Sequence, residues 1–549
     1  MNELSRIFLN ISDGETVVLE KDKVYDVCRE DSFYKVGYYC SNTAKKHENP
    51  DGSRYAAIFL KDKKNIVIEG NGATILVHGK MTPLLFDKCE NVTLRNLKID
   101  YACPTMSEFT VISNNGESVV IRINSECLFY VENNELIWHG EKGSDGECYW
   151  TDSAHGDRRH VKLYDPETRQ TKDFPRDDMN FDAIEIIDEN TLRVYPKNKN
   201  ADFRDGCIYQ TRNIVRDQTG SLFQRCSDLL FENVRIMFMH GLGIVSQFCE
   251  NVTFRNCDLT PKEGRTIAST ADFFQFSGCK GQLTVENCKA FGAHDDYINA
   301  HGTHLRVVDK NDEEKSLTVR FMHPETWGLQ AFEKGDRLEF IRWDTLIPYG
   351  ECIVEKYERL DDTDIKLFVS DIPNSITVGK DVVENATWTP DLLVSGCDFG
   401  PTSGRGILCT TRGKVIIENN RFTNLCGPAL LLEDDCNFWF ESGYTKEVVF
   451  RNNVVSGCDF GKTWETSPVI RYTPKIMKED SVQYVHGRLI LDGNVFEKSS
   501  NVTHSIWLEY LAEAVIKNNR FDAPYIINKK VVGFVDDSKN TVSDERGSE

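Results

Sequence analysis

The chain has 549 residues, 40% of them hydrophobic, which is enough to bury a large core and long enough for several domains of about 150 residues. Its formal net charge of −21 opposes phosphate backbones, so nucleic acid is not an expected partner, and it weighs against a polyuronate substrate. No run approaches the ~20 apolar residues of a membrane span, and Met1 to Asn10 hold no apolar stretch of signal-peptide length, so a cytoplasmic address is expected, or a secreted one if an export signal was removed.

An eight-residue pattern recurs: apolar, any, apolar, any, Asn or Gly, any, any, usually apolar. It starts at Ile66, Val92, Leu229, Val252, Leu283, Leu392, Val415, Val448, Leu489 and Ala514. Period-two alternation marks each as a short, half-buried strand. The fifth position must turn sharply, and Asn and Gly tolerate the left-handed backbone this requires. The intervals 229 to 252 and 392 to 415 are 23 residues, the shortest spacing in the set. Repeats of this size with no amphipathic helix between strands predict an all-β solenoid, a right-handed parallel β-helix. The corner asparagines are expected to form a ladder from coil to coil.

Cysteine keeps the same frame. Cys257, Cys288 and Cys397 follow the corner residue, while Cys89, Cys226 and Cys249 each lie three residues before a strand start. A residue type locked to one coil position reads as a small apolar packing element rather than a disulfide partner, and no CxxC pair suggests zinc.

The pattern assigns residues 1–100, 223–304 and 392–535 to the β-helix. Residues 101–222 hold alternating runs joined by Asn114, Asn115 and Gly116, a hairpin signal. Residues 305–391 read as a second inserted antiparallel module, barrel-like. Such insertions project from one edge of a solenoid and wall a groove. Residues 536–549 read as a polar, frayed tail.

The chemistry concentrates between Asp272 and His304. Asp295 lies 23 residues after Asp272, one shortest coil, so the two are expected to stack on adjacent rungs about 4.8 Å apart. Two carboxylates roughly 6 Å apart repel by about 2.8 kcal/mol at an effective dielectric of 20, enough to keep one partly protonated. One acid and one base are what glycosidic hydrolysis uses. Asp295 and Asp296 cannot both face a groove from a regular strand, so either the chain bends at residues 292–294 or one of them is buried and structural. The alternative reading is that these aspartates merely cap turns.

The run GAHDDYINAHGTHL at 292–305, with Asp272 one coil upstream, resembles glycoside hydrolase family 110, the α-1,3-galactosidases. The resemblance extends through KNIVIEGNGATILVHG at 64–79, NLKIDYACPTMSE at 96–108 and HPETWGLQAF at 323–332. It implies an exo-acting, inverting, cofactor-free hydrolase of terminal α-1,3-linked galactose that needs no metal. By this analogy Asp295 is the general acid, and Asp272 with Asp296 positions and deprotonates the water. A smaller residue is expected at Tyr297, so its bulk bears on pocket shape.

Further candidates flank the trio. His294, Asn299 and His301 could bind sugar hydroxyls, orient a carboxylate, or only satisfy local backbone groups. Trp327 is a candidate for stacking on a sugar or for the core. Glu433, in Glu433-Asp434-Asp435, is a candidate for the groove or a solvated turn, and His240 for a ligand or packing. Arg265, Lys280 and Lys289 are the basic residues near the aspartates in sequence. They do not cluster, which weighs against a lyase, and the Asn-Thr-Asp and Gly-His-Gly segments of a polygalacturonase are absent. A non-catalytic glycan-binding β-helix stays open, because fold does not fix function. The expected partner is a galactose-terminated oligosaccharide or glycoconjugate, and the sequence allows a homo-oligomer.

Overall fold

Left-handed backbone at the corners gives the fold its repeat. Asn96, Asn233, Asn256, Asn287, Asn419, Asn452 and Asn518 all have φ between 53 and 58°. Gly396 and Gly493 take φ of 67 and 68°. In the coil that starts at Ile66 the turn falls one residue later, at Asn71 and Gly72. The computed structural model describes residues 1–154, 159–461, 468–497, 506–522, 527–536 and 541–542.

A coil contributes three strands, as in Leu84–Asp87, Glu90–Arg95 and Lys98–Tyr101. Each stacks in parallel on its counterparts in neighbouring coils, giving a three-faced parallel β-helix. Alternate side chains point inward, and one core of Leu, Ile, Val and Phe runs the length of the solenoid. Phe273, Tyr297, Phe399 and Phe422 stack within it at 5.1–5.4 Å. The short helix Glu3–Phe8 buries Leu4 and Phe8 against the first coils, and Ser5 donates to the Ala57 carbonyl at 3.0 Å. It covers an end that would otherwise expose unpaired strand edges. No described helix is long and apolar enough to cross a membrane.

The residue after each corner faces inward, and its chemistry changes along the axis. It is Leu97 and Val234, then Cys257, Cys288 and Cys397, then Asn420, Asn453, Asn494 and Asn519, all buried. Three bonds join the last four, with Asn420, Asn453 and Asn494 donating Nδ2 to the following Oδ1 at 2.9–3.2 Å. The main asparagine ladder is therefore one residue past the predicted corner. There the side chain is dry and must find its partners in adjacent coils. All the cysteines are unbridged.

Two modules interrupt the coils. The first contains a seven-stranded sheet in which Met106–Asn114 pairs antiparallel with Val119–Ile123 and Ile208–Asn213. The second is a closed six-stranded barrel running from Leu305–Asn311 to Val382–Asn385. They leave the solenoid at opposite edges of one face, which carries Phe274–Ser277, Ile298–Thr303 and Ile407–Cys409. The segment around Ser41 crosses this face, bonding Gln247 and Ser277. Most of the expected tail lies outside the described residues. Thr541–Val542, however, pairs in parallel with Arg520–Phe521, so the ladder continues into it.

Candidate active site

The site lies where the chain returns to that face. Phe274 pairs with Ile298, so the coil here is 24 residues rather than 23. Asp272 therefore aligns with Asp296, whose backbone N–H donates to Asp272 Oδ1 at 3.2 Å. Asp295 sits one residue earlier, outside the regular strand. The bend read from the sequence is present, and one of the two aspartates is also buried. The chain bends at His294 and Asp295 after Gly292, whose φ is +77°, and Asp296 is buried. A Cβ at Gly292 would lie 2.4 Å from the Thr266 carbonyl, so only glycine fits the bend.

The bend brings the carboxylates together without making them equivalent. One oxygen from each of Asp272, Asp295 and Asp296 lies within 4.8 Å of the others. Asp272 and Asp296 are 3% and 1% exposed, whereas the Asp295 side chain is 36% exposed. The trio thus has two members at the floor and one at the mouth. Burial, reinforced by the charges of Asp295 and Asp296, pushes the Asp272 carboxyl well above the usual carboxylate range. Asp296 is pushed up to about 7, by burial first and by Asp295, against the opposing pull of Arg405. Such a set holds a proton near neutral pH.

Arg405, one coil beyond the barrel, grips Asp296 through Nε and Nη2 at 2.5 and 2.7 Å and reaches Asp295 at 3.6 Å. Burial disfavours the guanidinium charge, but Asp296 and Asp295 outweigh it and raise the Arg405 pKa. Arg405 stands 109 residues from Asp296 in sequence, so no local pattern marks it. Of the basic residues near the aspartates in sequence, Arg265 pairs with Asp100 and Glu126, and Lys280 with Glu250.

Two amides complete the floor. Gln275 and Asn299 face each other in register on adjacent rungs, 1% and 5% exposed, and line the cavity with the aspartates. Gln275 Oε1 and Asn299 Oδ1 have no hydrogen-bond partner. Unpaired buried acceptors are costly, and donors such as sugar hydroxyls would satisfy them. Asn299 Nδ2 donates to Glu441 at 3.3 Å. Gln275 was not singled out, although it holds the same outward register as Asn299.

The other candidates divide. Glu433 lines the cavity and pairs with Lys475. His301 sits behind the floor. Its Nδ1 donates to the Gly302 carbonyl at 2.6 Å, leaving Nε2 to accept from Gln275 Nε2 at 3.1 Å. It orients the amide instead of meeting a sugar. His294 is buried and donates Nε2 to Gln210 at 2.9 Å, away from the cavity lining. Burial and Arg212 push its pKa well below the usual imidazole value, so it is neutral. His240 is a packing residue held by Thr105 and Asp217.

Trp327 and Tyr297 are also core residues. The Trp327 ring packs 4.8 Å from Tyr39 and donates to the Ala44 carbonyl at 3.0 Å, so it is unavailable for stacking. The aromatics that do line the cavity are Phe438 and Trp439. Tyr297 points inward between Phe273 and Phe399, and its hydroxyl donates to Gly400 and Pro401 carbonyls. Its bulk therefore does not shape the pocket.

Clustered carboxylates with separated environments, at one cavity on the side of a parallel β-helix, define a glycosidase. Residues 316–383 match the family model for the GLAA-B beta-barrel domain II. The chain is 33% identical to alpha-1,3-galactosidase A of Bacteroides fragilis over 88% of this chain and 78% of that one. It is 34% identical to alpha-1,3-galactosidase A of Akkermansia muciniphila, covering 90% of this chain and 79% of that one. Among solved structures, the A-module of a mannuronan C-5 epimerase from Azotobacter vinelandii covers 96% of this chain and 90% of its own, at 10% identity and a TM-score of 0.36. The chain belongs to the α-1,3-galactosidase family, glycoside hydrolase family 110, and acts on a glycan substrate.

Proposed function

We propose that this protein removes terminal α-1,3-linked galactose from glycans by a single displacement with inversion. The carrying observation is the division of the aspartate trio into an exposed Asp295 and a buried pair, Asp272 and Asp296, above unpaired amide oxygens. A terminal galactose seated on Gln275 and Asn299 directs its glycosidic oxygen towards the mouth, where Asp295 is. A proton held within the carboxylate trio passes through Asp295 to that oxygen as the C1–O bond breaks. A water attacks C1 from the opposite face and loses its proton to Asp296, which Arg405 holds ionised. Asp272, protonated by its burial, hydrogen-bonds the water and fixes its approach. The products are β-galactose and the acceptor alcohol.

One observation favours a second reading, a retaining double displacement. Oxygens within 4.8 Å resemble the ~5–5.5 Å carboxyl spacing of retaining enzymes more than the ~6.5–9.5 Å of inverting ones. Incubating the protein with Gal-α-1,3-Gal and following released galactose by proton NMR separates the two. β-Galactose appearing first supports inversion; α-galactose first supports retention and ends the single-displacement reading. No galactose release at all would end both.

A further inference from the structure

The cavity has an aromatic rim whose use is not explained by binding of the terminal sugar. Phe438 and Trp439 are 59% and 47% exposed, and Trp439 is the one exposed tryptophan among the described residues. Both line the same cavity as the three aspartates. They lie in the short loop between Leu430–Leu432 and Glu441–Ser442, on the side of the face from which the barrel rises.

This loop is held in place. The Asp435 carboxylate accepts the backbone N–H groups of Asn437, Phe438 and Trp439. Cys436 and Phe440, on either side of the exposed pair, are buried. The Trp439 ring stacks on His323 of the barrel module, with centroids 4.4 Å apart and planes 28° apart. Burial, with Arg216 nearby, pushes the His323 pKa down to about 4, so the stack joins an indole to a neutral imidazole. An apolar ring fixed on one face and left open on the other is a preorganised platform, which lowers the ordering cost of binding.

Depth in the cavity indicates what the platform holds. The unpaired Gln275 and Asn299 oxygens mark the floor and take the terminal galactose, while Asp295, the exposed member of the trio, stands at the mouth. The sugar across the scissile bond therefore lies outward, on the solvent side of the cavity that the exposed Trp439 lines. Pyranose rings carry a face of C–H groups that packs well on an indole. We propose that Trp439, braced by His323 and Asp435, is the platform for the acceptor sugar that leaves, and so selects the substrate on the leaving side. The inference rests on the galactosidase reading.

The test compares two substrates that share galactose and differ in what leaves: Gal-α-1,3-Gal and α-galactosyl fluoride, whose leaving group occupies no sugar subsite. Trp439→Ala is expected to lower kcat/KM for the disaccharide about tenfold relative to the fluoride. Trp439→Phe, which keeps a stacking face, should recover most of that ratio. If Trp439→Ala lowers both substrates equally, the ring serves the terminal galactose and the proposal is overturned. An unchanged ratio with both rates at wild-type level overturns it too. Failure of the wild-type protein to turn over either substrate would instead overturn the galactosidase reading, whatever the variants do.

Discussion

Arg405 and Asp296 meet in a two-pronged ion pair at the cavity floor, although 109 residues separate them in the chain. The pairing pulls the Asp296 carboxyl down against the effect of its burial. Asp296 is as deeply buried as Asp272, but it holds the Arg405 guanidinium through two hydrogen bonds, and such paired geometry is a strong form of charge-assisted bond.

Removing that guanidinium should shift the pH dependence. Arg405 lowers the Asp296 pKa, which stands at about 7 with the arginine present. In Arg405→Met it should rise, moving the ascending limb of kcat/KM to higher pH and lowering kcat by roughly 10²-fold at neutral pH. A pH–rate profile checks the direction. A limb that stays in place would mean another group supplies the base.

Asp295→Asn should abolish turnover of Gal-α-1,3-Gal, with a loss of roughly 10²–10⁴-fold, while galactose binding by calorimetry and the melting curve stay near wild type. The side chain stands at the mouth, 36% exposed, and its ion-pair partner Arg405, at 3.6 Å, stays held by Asp296. Near-full activity would remove it from the role of acid.

The trio is also a plausible set of oxygen ligands for a hard divalent cation, since three carboxylates converge within 4.8 Å. A hydrolase working by proton transfer alone should keep its full rate after dialysis against EDTA. Loss of activity restored by calcium or magnesium would show a cation at this site.

Glu108 offers a stability test away from catalysis. Burial pushes its carboxyl up to about 7, against the opposing hydrogen bonds from Thr266. A carboxyl raised on folding is neutral in the native state while the unfolded chain already ionises. Stability is therefore lost as pH rises from the ordinary value near 4.5 through about 7. Glu108→Gln removes this dependence, so its melting temperature relative to wild type should rise across that window, by an amount worth ~2–3 kcal/mol.

Asn453 is fully buried and bonds both Asn420 and Asn494. Asn453→Ala leaves their groups unpaired in a dry core and should cost about 2–4 kcal/mol. Chemical denaturation should register that loss while KM for the disaccharide is unchanged.

The coil repeat was readable from the chain because it is local. Alternation makes each strand, and an asparagine or glycine with left-handed backbone makes each corner. The aspartate trio was readable for the same reason, since Asp272 and Asp296 stand only one 24-residue coil apart. The partners of that trio were not. The alignment of Asp272 with Asp296 instead of Asp295 depends on one extra residue in a loop. Arg405 becomes a neighbour because its coil stacks on that of Asp296, with the whole barrel inserted between them in sequence. The choice between Trp327 and Trp439 rests on which tryptophan the N-terminal segment covers. A solenoid brings residues together by stacking, so contacts at its surface are set by loop lengths and by what packs over them, and local pattern carries neither.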